Sequence, residues 1–280
     1  MTKADKYLLD DIKYVLENGY KDVDPRPMYE DGTPAYTISV NHMMRKYDLS
    51  KGEFPICTLR PQAWKTGIRE IFVIYQRCTN VLYEMEEMGV NWWGPWDIGD
   101  GTIGQRYGAT VKRYDLINNL IEDIKNNPYG RRKVVSLWQE ADLRETPGLP
   151  PCAFLTMWNV RGNYLDMSLI QRSGDMMAAS GAGGINEIQY ASLLMMIAKV
   201  TGKEPGVFTH FVANEQIYDR HIENAKILLE RGSQLKEDDP VPMLVLNKEA
   251  GCDFGDIRIE DFEMKDYSPI KPQLKFDLGI

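Results

Sequence analysis

The sequence predicts an α+β fold with a mixed sheet. Three observations lead there. Strand-like and helix-like segments are interleaved without the strict alternation of a doubly wound chain. Residues 5–18 carry apolar groups at helical spacing, and residues 187–201 read as a buried helix with apolar residues on most faces. Residues 133–138, 153–160 and 164–170 read as strands, the last two joined by a Gly162-Asn163 turn.

Taken in order, the first helix stops at Gly19, and residues 20–35 are rich in turn residues, with Pro25, Pro27 and Pro34. Residues 36–40 read as a strand. Residues 63–88 read as one long helix, followed by a Trp/Gly loop over 89–108 and a helix over 114–126. After the buried helix at 187–201 come a strand at 207–212 and a helix at 216–231. The tail is expected to be irregular. No repeat, linker or low-complexity block divides the 280 residues, so a single domain over 1–280 is expected.

Composition narrows the function classes. With 33 basic and 41 acidic residues, the formal net charge is −8. That balance argues against a nucleic-acid or membrane-surface binder, which would carry a basic excess. Four cysteines and three histidines form no metal-ligand spacing, and no metal is expected. No apolar run reaches the roughly 18 residues of a membrane span. The opening residues lack the apolar core of a signal peptide. A cytoplasmic location with reduced thiols is the expectation.

Cys152 lies in Gly148-Leu-Pro-Pro-Cys-Ala-Phe154, where two prolines stiffen the backbone. Leu169-Ile-Gln-Arg-Ser-Gly-Asp175 follows with a cation, a hydroxyl and a carboxylate. A nearby cation favours the thiolate, and Arg172 is the candidate. Arg26, Arg131, Arg132 and Arg172, with Ser173, would suit a phosphate dianion, because guanidinium forks bind oxygens in pairs. Taken singly, each has a plainer reading: a core thiol, or a solvated surface charge.

In combination these segments resemble the folate-dependent thymidylate synthases. The resemblance runs from Asp22 to Ile280. It rests on Phe54-Pro-Ile-Cys-Thr-Leu-Arg60, Trp64-Lys-Thr-Gly-Ile-Arg-Glu70, Asp100-Gly-Thr-Ile-Gly-Gln-Arg-Tyr-Gly108 and Asn127-Pro-Tyr-Gly-Arg-Arg132. It continues through Leu149-Pro-Pro-Cys152, Gln171-Arg-Ser-Gly-Asp175 and Met196-Ile-Ala-Lys-Val-Thr-Gly202. The resemblance implies one domain with a large twisted mixed sheet flanked by helices, paired sheet to sheet in a homodimer. It also implies methylation of dUMP to dTMP with 5,10-methylenetetrahydrofolate as co-substrate. Cys152 would attack C6 of the uracil ring, making C5 a carbon nucleophile.

Roles follow from the same resemblance. Arg26, Arg172 and Ser173 would bind phosphate, and Arg131 and Arg132 would be donated by the second chain. Asn186 would read the pyrimidine edge. Glu70 and Tyr107 would manage proton transfer. Gln171, Gln216 and Tyr218 would stand with the nucleotide ligands. Asp175 would hydrogen-bond the pterin. Trp93, Trp96, Leu149 and Ile280 would contact the folate, and Arg60 would face its glutamate tail.

Three departures from the family pattern stand out. Ala178-Ala-Ser-Gly-Ala-Gly-Gly184 lengthens the segment between Asp175 and Asn186, and its small residues suggest a flexible loop. Gln216 stands where the family has a histidine for the sugar hydroxyl. Ala153 follows the nucleophile where many members have histidine. These changes keep open a pyrimidine-nucleotide 5-hydroxymethylase, in which water rather than hydride captures the methylene intermediate.

Overall fold

The computed structural model describes residues 1–236 and 238–280. Its sheet grows outward from a hairpin. β4 (Ala153–Arg161) and β5 (Tyr164–Gln171) pair antiparallel across the turn at Gly162 and Asn163. Gly162 has φ +63, a conformation open to glycine at little cost. β3 (Lys133–Ser136) adds to the outer edge of β4. On the other side, β5 runs parallel to β7 (Glu204–Tyr218), and β7 pairs antiparallel with β2 (Thr37–Asp48). The short β1 (Tyr20–Lys21) and β6 (Gly174–Asp175) complete a seven-stranded mixed sheet. The parallel β5–β7 pair needs a long crossover. α7 (Ile185–Val200) supplies it.

α7 packs on the core face of the sheet, and twelve of its sixteen residues are buried. This explains why its apolar residues fall on most faces, since a helix covered on nearly all sides needs no continuous polar stripe. α1 (Lys3–Asn18) is started by a reciprocal cap. The Thr2 hydroxyl takes the Asp5 N–H, and the Asp5 carboxylate takes the Thr2 N–H. The other sheet face carries exposed Met44, Val134 and Met157. No described helix is long and apolar enough to cross a membrane.

The α+β reading with a mixed sheet holds, and several element boundaries change. Residues 63–88 are not one helix. α2 (Trp64–Ile71) widens into a π-helical turn, Phe72–Arg77, which ends at Cys78 with φ +54; α3 (Leu82–Glu87) starts afresh. The expected helix at 114–126 is preceded by a separate α4 (Gly108–Arg113), and left-handed Asp115 divides it from α5 (Leu116–Asn126). α6 (Glu140–Glu145) was not anticipated. The strand at 36–40 continues to Asp48, and that at 207–212 is the middle of β7. The helix expected from 216 begins as α8 (Ile222–Gly232), because residues 216–218 stay in the sheet, with Ile217 and Tyr218 buried. The tail contains an antiparallel pair, β8 (Met243–Leu246) and β9 (Phe262–Lys265).

The segment expected to be a flexible loop is packed instead. Met176–Ser180 forms a π-helical turn, and residues 180–184 are buried. Gly183, at φ +66, lies so close to the Cys57 amide that a Cβ would sit 2.3 Å from its nitrogen. Glycine is required there for close approach.

Beneath the sheet, Arg45 of β2 is fully enclosed. It bonds Asp11 of α1 at 2.6 Å, Glu215 of β7 at 2.9 Å and the Ser180 carbonyl at 2.8 Å. Glu187 of α7 lies 3.7 Å away. Removing the cation would strand three carboxylates. Arg45→Met is therefore expected to lower the unfolding free energy by about 3–5 kcal/mol, read from urea denaturation.

Candidate active site

The β4–β5 hairpin brings Cys152 and Arg172 together. Ala153 pairs with Gln171, so the residues just beyond that rung face each other despite their separation in sequence. A register irregularity between Ala153 and Leu155 adjusts the strand ends. The Arg172 amide donates to the Cys152 carbonyl at 2.9 Å. Its guanidinium is held by the carbonyls of Pro150 at 2.7 Å and Pro151 at 3.0 Å. Nη2 then reaches Cys152 Sγ at 3.4 Å. Burial pushes the thiol pKa above its usual value, and the Arg172 charge opposes that rise.

A second set of groups comes from α2 and α7, which pack together. Glu70 is buried. Its Oε1 accepts from the indoles of Trp92 at 3.1 Å and Trp93 at 2.5 Å, and its Oε2 accepts from the Gln189 amide. These donors favour the carboxylate, yet burial dominates and lifts the pKa to about 7. Gln189 also accepts from Asn186 Nδ2 at 3.1 Å. Asn186 Oδ1 takes the Gln171 amide at 3.2 Å, and Gln171 Oε1 meets His210 Nε2 at 3.0 Å. His210 Nδ1 lies 3.1 Å from Glu187. One continuous network thus runs from Glu70, through Asn186, to the Arg45 cluster.

These groups open into a cleft of about 1020 Å³. Every residue expected in the site lines it except Arg60, Arg131 and Arg132. Its apolar wall includes Trp93 stacked edge-on against Trp96 and Tyr107, at 5.5 and 4.9 Å between ring centres. Tyr107 holds a positive φ of 47°, a cost for a bulky residue that aims its ring into the cleft. The Asp175 carboxylate accepts from the amides of Met177 and Ala178. Ile280, at the chain terminus, pairs through its backbone with Met28 at 2.8 and 2.9 Å.

Arg60 departs from its expected position. Its guanidinium is buried, bonds the Met177 carbonyl at 2.5 Å and lies over the Phe276 ring at 4.7 Å. It supports the floor and the tail rather than facing the cleft. Arg131 and Arg132 are exposed and lie outside this chain's cleft. Trp92, Gln189 and His221 were not singled out from sequence. Gln189 is one helical turn beyond Asn186, a spacing that could have marked it. Trp92 and His221 offered no such local signal.

The thymidylate synthase family model matches residues 6–280. The chain belongs to the thymidylate synthase family. It is 50% identical to the thymidylate synthase of Lactococcus lactis subsp. lactis and 48% to that of Streptococcus pneumoniae, each comparison covering 100% of both chains. The thermostable thymidylate synthase A of Bacillus subtilis superposes with a TM-score of 0.88 at 34% identity, covering 99% of each chain. The family uses 5,10-methylenetetrahydrofolate as co-substrate and binds dUMP.

Glu70 is the most distinctive titrating group of this site. Folded Glu70 keeps its proton to about pH 7, whereas the unfolded side chain loses it in the ordinary carboxylate range. Between those limits the folded state binds more protons, so stability falls as pH rises through the window. Carbon-13 NMR of labelled glutamate should show one carboxyl titrating near 7, and Glu70→Gln should abolish that resonance and flatten the stability decline. A Glu70 midpoint in the ordinary range would contradict this account.

Proposed function

We propose that this chain converts dUMP to dTMP, with 5,10-methylenetetrahydrofolate as co-substrate and dihydrofolate as co-product. The observation that carries the reading is Cys152, a thiol 3.4 Å from a guanidinium, in one cleft with a proton-holding Glu70 and the amide of Asn186. Indole walls and the Asp175 carboxylate suit a pterin, which offers a flat face and N–H donors. The cleft volume suits a nucleotide and a folate together. Residues 1–280 act as one catalytic domain. Four free cysteines suit a reducing, cytoplasmic compartment.

Arg26, Arg172 and Ser173 bind the phosphate from one chain, and Arg131 and Arg132 bind it from the partner. Asn186 has a second N–H and a second lone pair beyond those engaged with Gln189 and Gln171, enough to meet O4 and N3–H of uracil. Gln216 and Tyr218 hold the sugar hydroxyl. An amide at 216 can still make that bond, with weaker nucleotide binding than a histidine would give.

The Cys152 thiolate adds to C6, and the C5=C6 electrons move toward O4. Arg172 offsets part of the burial cost of forming that thiolate. Glu70, poised near neutrality, exchanges a proton with O4 through water. The bound folate supplies the one-carbon unit and the hydride. Tyr107 and Glu70 organise removal of the C5 proton. Trp93, Trp96 and Leu149 exclude water, and Ile280 closes the cleft. Expulsion of Cys152 restores the C5=C6 bond.

Incubation with dUMP and methylenetetrahydrofolate should give dTMP and dihydrofolate in equal amounts. Cys152→Ser should lower turnover at least about a thousandfold. Tetrahydrofolate with 5-hydroxymethyl-dUMP would point to the hydroxymethylase instead.

The uncovered sheet face, with Met44, Val134 and Met157, supports a homodimer through that face. Shared sites have a direct consequence. Arg132→Ala and Cys152→Ser chains, each weakly active alone, should regain activity when mixed under subunit exchange, since one hybrid site is intact. No recovery after exchange would sink the shared-site reading.

A further inference from the structure

His221 lies between the cleft and the C-terminal tail and has no part in the reaction described above. It is fully buried. Nε2 is 2.8 Å from the carbonyl of Asp277. Nδ1 points at Asp175 Oδ1, 3.5 Å away, and has no hydrogen-bond partner. Tyr218 and Phe276 contact the ring edge-on at 5.4 and 5.1 Å between centres.

These contacts fix the ring's chemistry. A carbonyl oxygen can only accept, so Nε2 must carry a proton. A neutral ring would then turn the Nδ1 lone pair toward a carboxylate. A doubly protonated ring replaces that repulsion with a charge-assisted contact. We propose that His221 is a positioning residue: as an imidazolium it clamps the C-terminal tail to Asp175 and so holds Ile280 over the cleft. This rests on the reading of Asp175 and Ile280 as folate-facing.

The surroundings agree with a charged ring. Burial draws the imidazole pKa down, but Asp175 and the Asp277 carbonyl and charge together outweigh this and raise it above the ordinary value. The facing groups are Asp175 from β6, the Asp277 carbonyl from the tail and Tyr218 from β7. The Asp277 carboxylate is paired with Arg220 at 3.2 Å, and Arg60 sits over Phe276. Further anchors guide the tail inward: Asn224 donates to the Lys275 carbonyl at 2.6 Å, and Gly279 lies so near Tyr218 that a Cβ would be 2.5 Å from its ring. With the pKa raised, the clamp is complete at low pH and loosens as pH climbs through the folded-state value.

The test needs no substrate at first. Nitrogen-15 NMR of the free protein should show His221 keeping both its protons to a higher pH than a free imidazole does. Carboxypeptidase should release Ile280 slowly while the ring is doubly protonated and faster as His221 titrates. His221→Phe, which keeps a flat ring and loses both donors, should speed release by about tenfold, and His221→Gln, which keeps a single uncharged donor nitrogen, by less. The KM for methylenetetrahydrofolate should rise in the same order, with a smaller change in dUMP affinity. A His221 midpoint no higher than that of a free imidazole, or equal release rates in wild type and a folded variant, would overturn the clamp. If His221→Phe fails to fold, His221→Gln and the wild-type pH series decide the matter. A normal clamp with unchanged folate KM would instead count against the folate-facing reading of Asp175 and Ile280.

Discussion

Arg45 is the constraint on which the site's geometry rests. Its guanidinium is shared by carboxylates from α1, β7 and α7 and by the carbonyl of Ser180. No single pair there is a strong source of stability, because the desolvation cost of buried charges offsets much of their attraction. The arrangement matters because any displacement of one member exposes the others to an unpaired burial. It therefore fixes where α7 sits on the sheet. The Asn186 and Gln189 amides, both on α7, inherit that position. The Gly183 N–H bond to Glu187 at 2.7 Å extends the same constraint to the packed segment before α7.

A second constraint is the hairpin register. A slip of one residue in a strand exchanges its two faces. In β5, Leu165, Met167, Leu169 and Gln171 are buried, so the register is held by the core. That same register sets Arg172 beside Cys152. The carbonyls of Pro150 and Pro151 take up two donors of the Arg172 side chain. The cation is thus aimed by the backbone it helps to shape. Burial and hydrogen bonding here do the positioning that a flexible surface arginine would lack.

The sequence was most informative where one segment could carry its own signal. The hairpin turn, the first helix with its Gly19 stop and α7 with apolar residues on most faces needed no distant partner to be recognised. It was least informative where tertiary contacts decide the outcome. The π-helical turn at Phe72–Arg77 inserts a residue into a helical pattern that a periodicity count reads as continuous. β7 keeps residues 216–218 because Ile217 and Tyr218 are buried in the sheet, against a run that also fits a helix start. The glycines near 183 look mobile in isolation, yet they serve close packing. Cys152 and Arg172 stood out in their own segments, and Glu70 and Asn186 were identified through the family pattern, whereas Trp92, Trp93 and Gln189, which hold Glu70, lie 22, 23 and 119 residues from it in the chain. Arg60 shows the limit of that pattern: the residue is present, and the Met177 carbonyl and Phe276 claim its side chain.

Cys152 and Glu70 display one physical effect with two different results. Burial favours the neutral form of each. For Glu70 this helps the proposed chemistry, since a carboxyl poised near 7 can both hold and release a proton. Its three partners are neutral dipoles, which soften the shift without reversing it. For Cys152 the same burial hinders, since the thiol must ionise to attack. The cleft answers with a full positive charge at that atom, the guanidinium of Arg172. Had the partners been exchanged, a cation at Glu70 would have drained its proton below the useful range, and indoles at Cys152 would have left the thiol inert. The division of labour in this cleft is therefore set less by how deeply each group is buried than by whether its neighbour carries a charge or a dipole.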